Sequence, residues 1–317
     1  MSLKSEYLQA EERLRASGVP DPGLDAWYLL EYVTGISRAL YYADPDKEMT
    51  GTQRDAYNRY VGQRSRRIPL QHITGVQEFM GLEFKVNEDV LIPRQDTEIL
   101  VEEALGILSE GTLPRTDRQA EILDMCTGSG CIILSVLSHA KKRGGGSLKG
   151  TGSDISAGAL RVARENARRL GIDAEFVQSD LFAGIQGRYS LILSNPPYIR
   201  SGEIDSLQDE VRLHDPRLAL DGREDGLHFY REIIRNSPDY LEDGGYLMLE
   251  VGCSQAYEVS EMMRGRGFQD ITVKKDLAGL DRVVCGRYHN IMDGGLSLWR
   301  AGGQSTEIYR KGCIENV

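Results

Sequence analysis

Asn195-Pro-Pro-Tyr is the stretch of this chain whose residue types point most directly to chemistry. It follows Leu191-Ile-Leu-Ser, an apolar run that reads as a buried strand. Neither Pro196 nor Pro197 has a backbone N–H, so the ladder must end near Ser194 and leave Asn195 at the strand's C-terminal end. The bare tetrapeptide also reads as a proline-stiffened turn. As a site, it holds the Asn195 side chain and the Pro196 carbonyl in a fixed direction. Both are hydrogen-bond acceptors, and together they suit a planar –NH₂ group with two hydrogens to donate. Tyr198 would pack on the face of that planar group, with Pro197 beside it.

Three more segments end in residues suited to a ligand. Asp124-Met-Cys-Thr-Gly-Ser-Gly closes one apolar run, and Cys126, Thr127, Gly128, Ser129 and Gly130 form its turn into a helix. Glycines there let the backbone approach a ligand closely, although packing glycines give the same pattern. The next run ends in Asp154, where a carboxylate meets ribose hydroxyls in such folds or caps the following helix. Asp180 and Leu181 are expected to close a third strand and to flank an adenine ring. The glycine turn would then lie against the amino-acid part of a nucleoside ligand. A conjugated amide nitrogen is a poor nucleophile, but a sulfonium methyl group is strongly electrophilic. Aligning nitrogen, carbon and sulfur then does much of the work, on a scale of several kcal/mol.

Elements must carry these residues to one rim. Helical spacing over residues 5–16, 25–32 and 52–64 predicts a small helical bundle in the first 70 residues or so. Residues 73–86 alternate around turn glycines and predict a β-hairpin. Asp96 or Thr97 is expected to cap a helix running to about residue 108. From 121 onward strands at 121–126, 150–153, 174–177, 189–193 and 245–251 alternate with helices at 128–139, 157–170 and 229–241. Residues 271–274 and 282–285 would close the sheet. This alternation predicts an α/β fold, a mostly parallel sheet covered on both faces. Residues 141–146 form a basic, glycine-rich loop, and residues after about 288 read as an appended tail.

The chain has 317 residues, a size for about two domains, with 40% hydrophobic and 27% charged content. No apolar stretch approaches the ~20 residues needed to span a bilayer, and the first residues lack a signal-peptide core. A cytoplasmic protein without membrane partners is expected. The net charge of −10 disfavours general grip on nucleic acid. The cluster Arg54, Arg59, Arg64, Arg66 and Arg67 reads as a solvated helix face or as a docking patch for an acidic partner. Five cysteines without Cys-x-x-Cys spacing predict reduced thiols and no metal site.

With these residues assembled, the chain resembles the protein-(glutamine-N5) methyltransferases of the PrmC/HemK family over residues 5–287. The resemblance rests on Pro69-Leu-Gln-His-Ile-Thr-Gly, Phe79-Met-Gly-Leu-Glu-Phe, Val90-Leu-Ile-Pro-Arg-Gln-Asp-Thr-Glu, Thr127-Gly-Ser-Gly-Cys-Ile, Ser179-Asp-Leu-Phe, Asn195-Pro-Pro-Tyr-Ile, Asp225-Gly-Leu, Tyr246-Leu-Met-Leu-Glu-Val-Gly and Asp281-Arg-Val-Val. Asn-Pro-Pro-Tyr is shared with other amino-methyltransferases; the Ile-Pro-Arg-x-Asp-Thr-Glu block is far more specific.

The resemblance implies a class I (Rossmann-like) methyltransferase domain at 93–287, a small helical release-factor-recognition domain at 1–72, a β-hairpin linker at 73–92 and a tail at 288–317. It implies S-adenosylmethionine as cofactor and class 1 peptide-chain release factors as protein substrate, methylated on the glutamine of Gly-Gly-Gln. Cofactor residues carried over are Cys126 to Gly130, Asp154, Asp180, Leu181 and Asn195; the substrate glutamine would meet Asn195, Pro196, Pro197 and Tyr198, with Asn195, Pro196 and Tyr198 catalytic.

This chain departs from the family in three places. Cys126 replaces the first glycine of the turn, which costs of the order of 1 kcal/mol if that position needs positive φ. Leu181 stands where some members carry an aromatic residue. The tail contains Gly302-Gly303-Gln304, the family's own target tripeptide.

A DNA adenine-N6 methyltransferase would use the same tetrapeptide but must extrude its base, and usually adds a basic region. Residues 1–92 carry 11 basic and 14 acidic side chains, which argues against it. The same residues would also suit a ribosomal-protein glutamine methyltransferase or a non-catalytic nucleotide-binding scaffold.

Overall fold

The computed structural model describes residues 1–110, 113, 119–142 and 148–290. Five helices come first: α1 (Leu3–Ala16), α2 (Pro22–Thr34), α3 (Arg38–Ala43), α4 (Gly51–Arg64) and α5 (Leu70–Thr74). Side chains cap them as the sequence allows. Ser2 accepts from Ser5 N, and Thr50 with Gln53 forms a reciprocal capping box on α4. Leu14, Leu29, Leu30, Tyr57 and Val61 are fully buried among them. The Tyr57 hydroxyl donates to the Ala26 carbonyl at 2.9 Å, so this buried polar group is satisfied.

The hairpin follows as β1 (Val76–Phe79) and β2 (Leu82–Lys85), antiparallel and in register Phe79 to Leu82. It is no free connector. Phe79 and Phe84 are buried in the same apolar cluster as α6 (Glu98–Glu110) and α7 (Cys131–Lys142). The Asn166 side chain closes both hydrogen bonds of the Lys85 backbone.

The main sheet contains β3 (Ala120–Met125), β4 (Leu148–Asp154), β5 (Glu175–Gln178), β6 (Tyr189–Ser194), β7 (Leu241–Glu250), β8 (Phe268–Lys275) and β9 (Asp281–Tyr288). Their order is β5-β4-β3-β6-β7-β9-β8, and of these strands β9 runs against the others, pairing antiparallel with β7 and β8. Strand side chains alternate between two cores. Ile122, Leu191, Leu193 and Met248 face α6 and α7. Leu123, Ile192, Leu247 and Leu249 face α11 (His228–Asn236) and α12 (Ala256–Gly265). The chain runs outward from β3 to β5 and then returns to place β6 on the other side of β3. The C-terminal ends of β3 and β6 therefore flank the point where the strand order reverses, the place where open α/β sheets bind ligands.

Several expectations shift. Helix 229–241 is shorter: α11 stops at Asn236, because Pro238 lies beyond it and Leu241 already starts β7. Asp180 and Leu181 do not close the third strand. β5 ends at Gln178, and both residues sit in the turn beyond it. α8 (Ala157–Leu170) is as expected, whereas α9 (Asp209–His214), α10 (Arg217–Leu220) and α12 carried too short or too mixed a pattern to be read. Neither Asp96 nor Thr97 serves as the expected cap. A 3₁₀ turn, Gln95–Thr97, leads into α6, and both side chains are engaged elsewhere.

The arginine cluster divides. Arg64 is buried and pairs with Asp25 and Glu210, and Arg67 also binds Glu210, so these two join α4 to α9 rather than face solvent. Cys126, Cys131 and Cys285 are free thiols. Most of loop 141–146, and the tail with Cys313 and Gly302-Gly303-Gln304, lie outside the described residues.

Candidate active site

The turn after β3 is built on a buried carboxylate. Asp124 accepts from the Thr127 hydroxyl at 2.5 Å and from Ile133 N at 3.3 Å. Burial pushes its pKa up to about 7. Cys126 has φ 60 and Gly128 φ 54. A left-handed cysteine at this position is the strained case, of the order of 1 kcal/mol. Gly130, with φ 80, packs against Ala163 and Leu134; a Cβ there would lie 3.2 Å from each. Its lack of a side chain lets the start of α7 pack closely on α8.

The Gly128 backbone N–H donates to Asp154 Oδ2 at 2.9 Å, and Ser156 N donates to Asp154 Oδ1 at 2.9 Å. These bonds fix the carboxylate at the end of β4, although burial still raises its pKa. Leu181, with φ 46, is held by the Ser179 hydroxyl, which donates to its carbonyl at 2.6 Å. All of these residues border one cavity of about 260 Å³. Cys126, Thr127, Gly128, Ser129, Asp154, Asp180, Leu181, Asn195 and Pro197 of the expected set line it. Gly130 and Pro196 do not.

A second cavity, of about 560 Å³, opens on the other side of Asn195. Tyr198, Glu250, Arg282 and Gln77 are among its walls. Asn195, with Leu91, Pro93, Arg94 and Ala219, borders both cavities. The side-chain amide of Asn195 donates to Thr97 Oγ1 at 3.3 Å. The Tyr198 hydroxyl donates to Glu250 Oε1 at 3.5 Å.

The tetrapeptide is held from behind. Ser194 Oγ donates to the Met125 carbonyl at 2.7 Å, tying the ends of β6 and β3. Gln255 Nε2 donates to the Tyr198 carbonyl at 3.1 Å. Gly226, with φ 74, comes so close that a Cβ would stand 2.4 Å from that same carbonyl. Only glycine fits there, which gives the Asp225-Gly-Leu block its physical meaning.

Reading the sequence missed Thr97, Arg94, Glu250 and Arg282. The Ile-Pro-Arg-Gln-Asp-Thr-Glu block contained the signal for the first two, but Thr97 was assigned to a helix cap. Arg282 bridges Asp96 at 3.0 Å and Asp276 at 2.9 Å, closing one wall of the second cavity.

Two family models match the chain: the PrmC N-terminal domain over residues 7–75 and the methyltransferase small domain over residues 106–212. A release factor glutamine methyltransferase of Geobacter sulfurreducens is 41% identical over 278 residues, 86% of this chain and 92% of that protein. One of Caulobacter vibrioides is 37% identical over 289 residues, 90% of this chain and 96% of that protein. The chain belongs to the release factor glutamine methyltransferase family. The hMettl16 catalytic domain superposes with a TM-score of 0.53 at 14% identity, covering 73% of this chain and 83% of that one, which supports the class I methyltransferase fold alone.

The methyl donor of such an enzyme is S-adenosylmethionine, and the first cavity fits it. Ser129 Oγ and Ser153 Oγ line this cavity, buried and without a hydrogen-bond partner among the described residues. Polar atoms left so are suited to a polar ligand. The Asp154 carboxylate and the apolar surfaces of Leu181, Ile155 and Phe229 complete a polar and an apolar end.

Proposed function

We propose that this chain transfers a methyl group from S-adenosylmethionine to the side-chain amide nitrogen of the glutamine in the Gly-Gly-Gln motif of class 1 peptide-chain release factors. The observation that carries this reading is Asn195, which stands on the border of two cavities with its amide nitrogen turned to Thr97. Its Oδ1 is the end left for an acceptor amide.

S-adenosylmethionine, when bound, supplies a methyl group on a positively charged sulfur. The chain's own task is to hold the acceptor. Asn195 Oδ1 and the Pro196 carbonyl accept the two N–H bonds of the glutamine side chain. Pro196 is itself buried, so its part is confined to its backbone. Tyr198 and Pro197 flank the planar amide, limiting its rotation. Asp154 binds ribose hydroxyls, the turn from Cys126 to Ser129 lies against the amino-acid part, and Asp180 with Leu181 borders the adenine.

In this reading residues 1–72 help grip the release factor, 73–92 connect the two parts and 93–287 carry out the transfer, with 288–317 as an appended tail. The reaction takes place in the cytoplasm, where release factors act, without direct contact to nucleic acid. The net charge of −10 supports that last point.

Methyl transfer from labelled S-adenosylmethionine to purified release factor tests the reading, beside a Gln-to-Ala release factor, DNA and ribosomes. Label on the wild-type release factor alone is expected. Label on DNA or ribosomal protein instead would replace it.

A further inference from the structure

The unpaired buried atoms of the first cavity, Ser129 Oγ and Ser153 Oγ, fit its cofactor. Two more belong to residues that wall the second cavity. One is Oε2 of Glu250, the last residue of β7, which is 2% exposed. The other is Nε of Arg282 in β9, which is 6% exposed. Neither atom has a hydrogen-bond partner among the described residues. Nor do the two side chains form an ion pair with each other there: Arg282 Nη2 meets Asp96 and Asp276, and the Tyr198 hydroxyl meets the other Glu250 oxygen.

Both residues are held firmly. Glu250 pairs with Val283 in the β7–β9 ladder, and Val251 N donates to the Arg282 carbonyl at 2.8 Å, so the two backbones lie side by side. The Tyr230 hydroxyl donates to the Glu250 carbonyl at 3.0 Å. Asp276, the partner of Arg282, is fixed in turn by Ala278 N and Leu280 N, both at 2.9 Å. A ligand would therefore meet groups that are already in place, which lowers the cost of ordering them.

The size and chemistry of the cavity indicate what that ligand is. Its volume of about 560 Å³ is that of a site for a drug-sized ligand, roughly 300–1,000 Å³, and exceeds what one carboxamide side chain fills. A carboxylate oxygen accepts an N–H, and a guanidinium Nε donates to a carbonyl. A peptide main chain offers both. Buried polar groups are costly when unpaired, so a ligand that pairs them is favoured. We propose that Glu250 and Arg282 bind the main chain of the acceptor loop beside its glutamine, Glu250 Oε2 accepting a peptide N–H and Arg282 Nε donating to a peptide carbonyl. This deepens, and rests on, the reading of the release factor glutamine as methyl acceptor. Bonds to buried atoms require the main chain to approach the wall closely, which the two glycines of Gly-Gly-Gln permit.

The test deletes the main-chain N–H groups of the substrate one at a time. A release factor made with an α-hydroxy acid at the glutamine, or at the residue on either side, has an ester there and lacks that N–H. At one of these positions KM with the wild-type enzyme should rise about tenfold to a hundredfold, the scale of a hydrogen bond to a charged group, with kcat little changed. Glu250→Gln places a donor where Oε2 stands and should raise KM similarly for the unmodified release factor. The sensitive ester should then add little in that variant, because the bond is already lost. No sensitive position, or equal penalties in the wild type and Glu250→Gln, would overturn the proposal. Arg282→Lys keeps a cation for Asp96 and Asp276 but lacks Nε; its KM should rise about tenfold while calorimetric cofactor affinity holds, and an unchanged KM would remove Arg282 from the role. If Arg282→Lys does not fold, the ester comparison decides. Absence of label from wild-type enzyme on unmodified release factor would reject the acceptor assignment and this proposal with it; label without any ester effect would reject this proposal alone.

Discussion

Arg64 at the end of α4 donates through Nη2 to Glu210 Oε1 of α9 at 2.8 Å, across 146 residues of chain. The same guanidinium donates through Nε to Asp25 at 2.6 Å. One buried arginine thus ties the helical bundle to the sheet domain, and Arg67 adds a second link to Glu210.

Removing Arg64 leaves Asp25 partly buried without its cation and takes one of two arginines from Glu210. Arg64→Ala should therefore destabilise the protein by about 3 kcal/mol. Glu210→Ala should cost less, because Arg64 keeps Asp25. Urea unfolding of both variants checks the order; equal stabilities would mean that the tie contributes nothing.

Asn195→Ala removes an acceptor from the border of the two cavities. Methyl transfer should fall by about 10²-fold or more while S-adenosylmethionine binding is retained. Calorimetric titration beside a transfer assay separates the two. Turnover at the wild-type level would take Asn195 out of the mechanism.

Asp154 is the carboxylate of the first cavity held by two backbone N–H groups. Asp154→Ala should weaken cofactor binding by about tenfold to a hundredfold, the scale of hydrogen bonds to a charged group. Unchanged affinity would show that the ribose does not meet this residue.

Burial pushes Glu250 from an ordinary value of 4.5 up to about 7, and Asp124 from 3.8 up to about 7. A raised acid binds its proton more tightly in the folded state. Its stabilising contribution is complete below the unfolded pKa and is lost as pH rises through the folded one. Wild-type stability should therefore decline between about pH 4.5 and pH 7, with a shallower decline in Glu250→Gln. Denaturant midpoints across that range provide the measurement.

Cys126 occupies a left-handed backbone conformation, φ 60. Cys126→Gly relieves that strain but frees the unfolded chain, so stability should stay within about 1 kcal/mol of wild type. Cys126→Val adds a β-branched side chain in the same conformation and should destabilise by more than 1 kcal/mol or so. Thermal melting of the pair distinguishes them; a neutral valine would mean that the turn relaxes.

Much of the fold was legible because its signals are local. Apolar runs of six or so residues marked β3 and β6, helical spacing marked α1, α4 and α8, and turn glycines marked the hairpin. What lacked a local signal was lost: α12 has a mixed face, α9 and α10 are single turns, and Pro238 cut a helix that periodicity alone carried on to Leu241. The hairpin read as a linker, yet its phenylalanines are buried against α6 and α7, which only packing could decide.

The site divides in the same way. Asn195, Cys126, Gly128 and Asp154 could be found in the sequence because the C-terminal ends of parallel strands must share one rim, whatever the details of packing. Thr97, Glu250 and Arg282 could not. Thr97 meets Asn195 across 98 residues, and Glu250 meets Tyr198 across 52. No spacing rule spans those distances. The sheet order, with β6 between β3 and β7, brings them together, and the buried Thr97 hydroxyl is the group that the Asn195 amide nitrogen meets there. Sequence determined which residues arrive at the rim; tertiary structure decided which way the amide among them faces.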